Sequence, residues 1–186
     1  MKALGLLILG LLSVLPARAD EALLARLAEP NTHAIMRHAL APGSGEPEGF
    51  DISRCETQRN LDEQGRRQAR RAGDMLRAAG VQIDHVWSSR WCRCMDTARE
   101  MDIGEIERQP FLRSFSGRRY EGPGRTRDLR AALSALPPGE TAFLVTHNVN
   151  AEALTGVRPI SGEIQVIHVA PSGEVTLLGR VEVPIH

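Results

Sequence analysis

The chain has 186 residues, 42% hydrophobic and 25% charged, which excludes a collagen-like, mucin-like or fully disordered polymer and sets a folded domain as the default. The 23 Lys and Arg balance the 23 Asp and Glu, so there is no global positive field and no nucleic-acid partner is expected. The only lysine is Lys2; every later fixed cation is an arginine, whose planar fork meets phosphate or carboxylate in bidentate fashion.

Ala3 to Leu15 is an apolar run preceded by Lys2 and followed by Pro16-Ala17-Arg18-Ala19-Asp20, the small-x-small pattern of a signal-peptidase site. The run falls short of the roughly 20 apolar residues a transmembrane helix needs. Residues 1–19 are therefore read as a cleaved export signal and 20–186 as a single domain, with no membrane span in the mature form and a periplasmic or secreted location. Cleavage removes Lys2 and Arg18 and no acid, leaving 167 residues with a net charge of −2. Three cysteines accompany the export signal, so a disulfide is expected. Cys92 and Cys94 are too close in sequence to bridge each other easily, which favours Cys55 joined to one of them and leaves one thiol free. No fourth-ligand spacing lies near the Cys-x-Cys pair, so no metal site is assigned there.

Along the mature chain, His33-Ala34-Ile35-Met36 reads as a short apolar strand ending at Arg37-His38. From Leu61 to Ala79 the positions Ala69, Ala72, Leu76 and Ala79 recur at helical spacing, with the Arg66-Arg67-x-x-Arg70-Arg71 run on the outer, solvated face. Ile83 to Ser88 reads as a strand, Arg93 to Met101 as a helix, and Arg125 to Leu136 as an amphipathic helix closed by Pro137-Pro138-Gly139. Thr141 to Thr146 is nearly continuous apolar sequence, suited to a strand buried on both faces, and it delivers His147 at its carboxyl end. A helix over Val149 to Thr155 and a hairpin of Ile164–Val169 and Val175–Val181 around Pro171-Ser172-Gly173 complete the pattern. Alternating strands and helices predict a three-layer α/β/α domain with a mostly parallel central sheet and an antiparallel C-terminal hairpin.

In such sheets ligands bind beyond the carboxyl ends of the strands. Arg37-His38, the stretch Ser89 to Ala98 and His147 all fall at that edge, although they are far apart in sequence. Ser89 and Thr97 are read as caps of the helix that follows, as are Asn148 and Asn150 of theirs. His33, His85, His168 and His186 fit no motif.

Met36-Arg37-His38-Ala39, Leu61-Asp62-Glu63-Gln64-Gly65-Arg66-Arg67-Gln68-Ala69, Ser89 through Ala98 and Val145-Thr146-His147-Asn148 together resemble, in order, the motifs of the histidine phosphatase superfamily, the phosphoglycerate-mutase-like proteins. The resemblance implies that fold and an exported phosphatase that hydrolyses phosphomonoesters or phosphohistidine without a metal or other cofactor. It makes His38 the nucleophile, Arg37 and Arg93 phosphate-binding cations, and His147 a second histidine on the same phosphate. Its substrate would be a small phosphorylated molecule or a phosphoprotein. A general acid usually follows a Pro-x-Leu-x-Glu stretch, and here Pro110-Phe111-Leu112-Arg113-Ser114 places Ser114 at that position. Glu121 is then the nearest acidic candidate and Asp128 another. The missing acid keeps a second reading open, a phosphate-ligand binding or regulatory protein on the same fold with little turnover.

Overall fold

A computed structural model describes residues 15–185, with side chains from Arg18 onward. The apolar run assigned to an export signal lies outside the described residues up to position 14, and Leu15 to Ala19 open the first helix. Among the described residues no helix is long and apolar enough to cross a membrane.

In chain order the elements are α1 (Leu15–Ala25), β1 (Thr32–Arg37), α2 (Glu63–Ala78), β2 (His85–Ser88), α3 (Cys92–Met101), β3 (Ile106–Arg108), α4 (Gly122–Ser134), β4 (Ala142–Thr146), α5 (Asn148–Thr155), β5 (Glu163–Val169) and β6 (Val175–Glu182). They form one six-stranded sheet in the order β3-β2-β4-β1-β5-β6. The first four in that order are parallel, while β5 runs antiparallel to β1 and closes with β6 as the expected hairpin.

Strand periodicity sorts the core into two halves. Ala34 and Met36 of β1, with Phe143 and Val145 of β4, face Leu24 of α1, Ala69, Ala72 and Leu76 of α2, and Ala98 and Met101 of α3. The alternate residues Ile35, Ala142 and Leu144 face Leu129 and Leu133 of α4 and Ala151 and Leu154 of α5. Both faces are covered, which is why β1 and β4 are buried at nearly every position rather than alternately.

Register sets the functional edge. Arg37 lies beside Thr146, and Ser88 beside Val145, so the tips of β1, β4 and β2 are level. The ladder runs one residue further on each side, with His38 N–H donating to the Thr146 carbonyl at 2.9 Å and Ser89 N–H to that of Val145 at 3.0 Å. The turn after His38 then packs on α2 so closely that a Cβ at Gly65 would sit 2.0 Å from the Leu40 carbonyl oxygen. Gln68, one turn along, fixes the same turn by accepting from Leu40 N–H at 2.9 Å.

Two expectations need correction. Helix α4 begins at Gly122 rather than Arg125, because Pro123 occupies its first turn, where the missing N–H costs nothing. The arginine run of α2 is not simply solvated: Arg66 and Arg70 both pair with Glu100 of α3, at 2.9 and 2.5 Å. The disulfide is as expected: Cys55 is joined to one of the pair, Cys92, and Cys94 is left as a buried free thiol.

Candidate active site

His38, Arg93 and His147 meet where β1, β2 and β4 end, and each is 2–4% exposed. The His38 ring is held at both nitrogens. Nδ1 lies 2.8 Å from the Ala39 carbonyl, which can only accept, so Nδ1 carries the proton. Nε2 then presents its lone pair, and the Nε–H of Arg93 donates to it at 3.1 Å. Burial, followed by the charge of Arg93, pushes the His38 pKa well below the ordinary histidine value and keeps the ring neutral. A neutral imidazole with a fixed tautomer and an unprotonated Nε2 is what a nucleophile requires.

His147 is equally buried, and its pKa is lowered by burial, Arg93 and His38. Its Nε2 lies 3.0 Å from Ser89 Oγ and 3.6 Å from the Cys94 sulfur. The ring meets His38 and Trp91 edge-on, with centroids 5.6 and 5.2 Å apart. The capping roles expected for Ser89 and Thr97 are not what these side chains do, since α3 has no side-chain cap. Ser89 instead faces His147, while Thr97 Oγ1 donates to the Arg93 carbonyl at 2.7 Å and accepts from Ala39 N–H at 3.0 Å, tying the nucleophile's turn to α3. Asn150 likewise caps nothing and donates to the carbonyls of Phe111 and Arg113, holding the chain after β3 against α5. Cys94 is inert here, its thiol pushed up to about 12 by burial.

Two residues of the site escaped sequence reading. Arg59 donates to the carbonyls of Ala41 and, at 3.0 Å, Gly45, and its own carbonyl accepts from Arg93 Nη1 at 3.3 Å. Glu46 accepts from Arg93 Nη1 at 2.8 Å and, through its other oxygen, from Arg59 N–H at 3.1 Å. The only sequence signal for Arg59 was its place just ahead of the Leu61-Asp62 motif, and Glu46 had none within its Gly- and Pro-rich loop.

Arg37 approaches the same centre. Its Nη1 donates to the Pro159 carbonyl at 3.3 Å, while its buried Nε has no hydrogen-bond partner among the described residues. Burial, then Arg59, Arg158 and Arg93, lowers its pKa. Arg37, Arg59 and Arg93 repel one another, and among the described residues Glu46 is the one carboxylate bonded among them. With both histidines neutral, the group carries two positive charges in excess, which matches a phosphomonoester dianion of opposite sign.

Glu121 stands apart from this group. Its carboxylate is paired with Arg125 and lies 3.3 Å from Arg118, and none of its hydrogen bonds reaches His38, Arg93 or His147. Burial would raise its pKa, but the hydrogen bond and charge of Arg125, with Arg118 and Arg113 behind it, bring it below the usual glutamate value. That is the wrong direction for a proton donor at neutral pH. Asp128 pairs with its neighbour Arg127 at the exposed surface. Ser114 is buried, and its hydroxyl accepts from Ser116 N–H at 3.2 Å.

Residues 34–135 match the family model described as histidine phosphatase superfamily (branch 1). Comparison with curated protein sequences finds no match. Among solved structures, the protein histidine phosphatase SixA complexed with tungstate is 19% identical with a TM-score of 0.61, over 81% of this chain and 96% of that one. A mycobacterial glucosyl-3-phosphoglycerate phosphatase is 16% identical with a TM-score of 0.59, over 82% of this chain and 98% of that one. A phosphoglycerate mutase from Plasmodium falciparum is 16% identical with a TM-score of 0.53, over 81% and 90%. At these identities the likeness establishes the phosphoglycerate mutase-like fold.

Proposed function

Because the chain belongs to the histidine phosphatase superfamily (branch 1), we propose that it is a phosphatase that works through a phosphohistidine on His38. The observation that carries this reading is the state of the His38 ring, with Nδ1–H committed to the Ala39 carbonyl and the Nε2 lone pair directed at the fork of Arg93. In the first step Nε2 attacks phosphorus, the P–N bond forms, and the bond to the leaving oxygen or nitrogen breaks. Water then attacks phosphorus, the P–N bond breaks, and inorganic phosphate leaves. Arg37, Arg59 and Arg93 supply charge preorganised for the equatorial oxygens of this in-line transfer, and His147 faces the same phosphoryl group.

The substrate class is a phosphomonoester or phosphohistidine, on a small molecule or a protein. The SixA structure among the matches supports the phosphohistidine side of that reading and the mycobacterial phosphatase the phosphomonoester side. We also place the mature protein outside the cytoplasm after removal of residues 1–19. The apolar N-terminal run supports this, as does the Cys55–Cys92 disulfide, a bond that persists in oxidising compartments.

The test is hydrolysis of an aryl phosphate by the mature protein in the presence of a chelator, beside His38→Ala. Turnover that survives chelation and vanishes in the variant is expected. Undiminished turnover in His38→Ala overturns the histidine mechanism, and loss on chelation overturns metal independence. The binding reading is favoured by Ser114 at the usual acid position, and it takes over if phosphate binds while neither protein turns over.

A further inference from the structure

On the phosphatase reading, a leaving alkoxide needs a proton, and neither Ser114 nor Glu121 is arranged to give one. We propose that Glu46 is the general acid of the transfer, released from Arg93 when the phosphoryl group takes its place.

One guanidinium connects Glu46 to the nucleophile. Arg93 Nε donates to His38 Nε2 at 3.1 Å while its Nη1 donates to Glu46 Oε1 at 2.8 Å. Among the described residues, no other carboxylate is hydrogen-bonded to a side chain of Arg37, His38, Arg93 or His147. Phosphorus in line for attack sits about 3–3.5 Å from Nε2, on the lone pair that Arg93 Nε–H holds here, so the guanidinium turns from His38 to the phosphoryl group as that group enters. Its equatorial oxygens then lie against the Arg93 fork, where Glu46 Oε1 now rests. The two anions compete for one cation, and the dianionic phosphoryl group is the stronger competitor. Once displaced, the carboxylate stands beside negative charge, which favours its protonated form.

The loop is built to keep Glu46 there. Phe50 stacks on Trp91 at 4.8 Å, the Cys55–Cys92 bridge ties the loop's far end to the start of α3, and Arg59 bonds the carbonyls of Ala41 and Gly45 on either side of its near part. The Arg93 side chain is 5% exposed and that of Glu46 18%, so the carboxylate lies between the buried cation and solvent.

The proton balance closes over the cycle. As Nε2 bonds to phosphorus and the P–O bond breaks, Glu46 O–H gives its proton to the leaving oxygen. The carboxylate so formed accepts a proton from the water that attacks phosphorus as the P–N bond breaks, which restores the acid.

The experiment compares the parent protein, Glu46→Gln and His38→Ala on 4-nitrophenyl phosphate and on glycerol 2-phosphate, reading kcat/KM, which reports through the first irreversible step. Nitrophenolate leaves without a proton and an alkoxide does not. Glu46→Gln is expected to lower kcat/KM for the alkyl ester by about 10²-fold or more and for the aryl ester by less than about 3-fold. Retained aryl turnover also shows that the variant is folded. Equal losses on both esters overturn the proposal and make Glu46 a positioning residue for Arg93. Equal gains overturn it too, since Glu46 would then only compete with substrate. Failure of the phosphatase reading itself shows separately, as aryl turnover that persists in His38→Ala.

Discussion

The side of the site that would hold phosphate and the outer rim around Glu121 are built in opposite ways. On the phosphate side, His38 is fixed by Ala39 and Arg93, Arg93 is held by His38, Glu46 and the Arg59 carbonyl, and Thr97 ties the two turns together. Every one of these side chains except Glu46 and Arg59 is buried. On the rim, Glu121 is shared between Arg118 and Arg125, and Tyr120 beside it is 81% exposed. The phosphoryl group is the constant part of any substrate of such an enzyme and rewards fixed charge. The remainder varies, and solvated side chains can vary with it at little cost to the fold.

Arg93 offers the hardest test of the fixed side. Arg93→Lys keeps a positive charge but loses the fork that serves His38 through Nε and Glu46 through Nη1 at once. The expected outcome is a fall in kcat/KM of about 10²–10³ on an aryl phosphate, the size found when one preorganised donor is removed from a site of developing charge. A fall of less than about tenfold would mean that a point charge suffices, and the contrast between a rigid side and an adaptable rim would lose its main support.

What was legible in the sequence follows the same division. Strand-end motifs such as Arg37-His38 and His147 could be read because a parallel sheet delivers strand tips to one edge, and apolar runs reveal which strands are central. Arg93 was legible only through the family resemblance, whose motif places an arginine four residues before Thr97. Glu46 and Arg59 were not, because they reach Arg93 from 47 and 34 positions away and sit in a loop whose composition signals only a turn. Ser89 and Thr97 looked like helix caps, the local preference of their residue types, but contacts 58 positions distant overrode it. Strand β3 has three residues, too few to show any period.

His33 separates burial from charge as causes of the low pKa of the site histidines. It lies near the other end of β1, buried, with Nδ1 accepting from Ala142 N–H at 3.2 Å. Burial, with smaller contributions from His168 and His85, lowers its pKa from 6.5 to about 4, without the arginines that surround His38. The folded state therefore binds this proton less readily than the unfolded chain. Its stabilising effect is complete above about pH 6.5 and is lost as pH falls toward 4, by about 3 kcal/mol in all. His38 and His147 act with the same sign. In His33→Asn, whose amide oxygen can accept the same N–H, the loss of unfolding free energy between pH 7.5 and 4.5 should shrink by about 2–3 kcal/mol in denaturant titrations. An unchanged pH dependence would show that His33 takes up its proton without cost, and burial alone would no longer account for neutral histidines in this sheet.

Glu121→Gln should do the least, and for that reason it decides where the boundary between the two regions lies. The substitution keeps the shape and removes the charge that Arg118 and Arg125 share at the half-buried start of α4. A carboxylate held ionised by two arginines has no proton to lend. Values of kcat/KM for aryl and alkyl phosphates should both stay within about 2-fold of the parent. A selective loss on the alkyl ester, with Glu46→Gln unaffected, would reverse the assignment. The acid would then come from the adaptable rim, and binding of substrate would have to draw Arg125 away from Glu121 before the leaving group could take its proton.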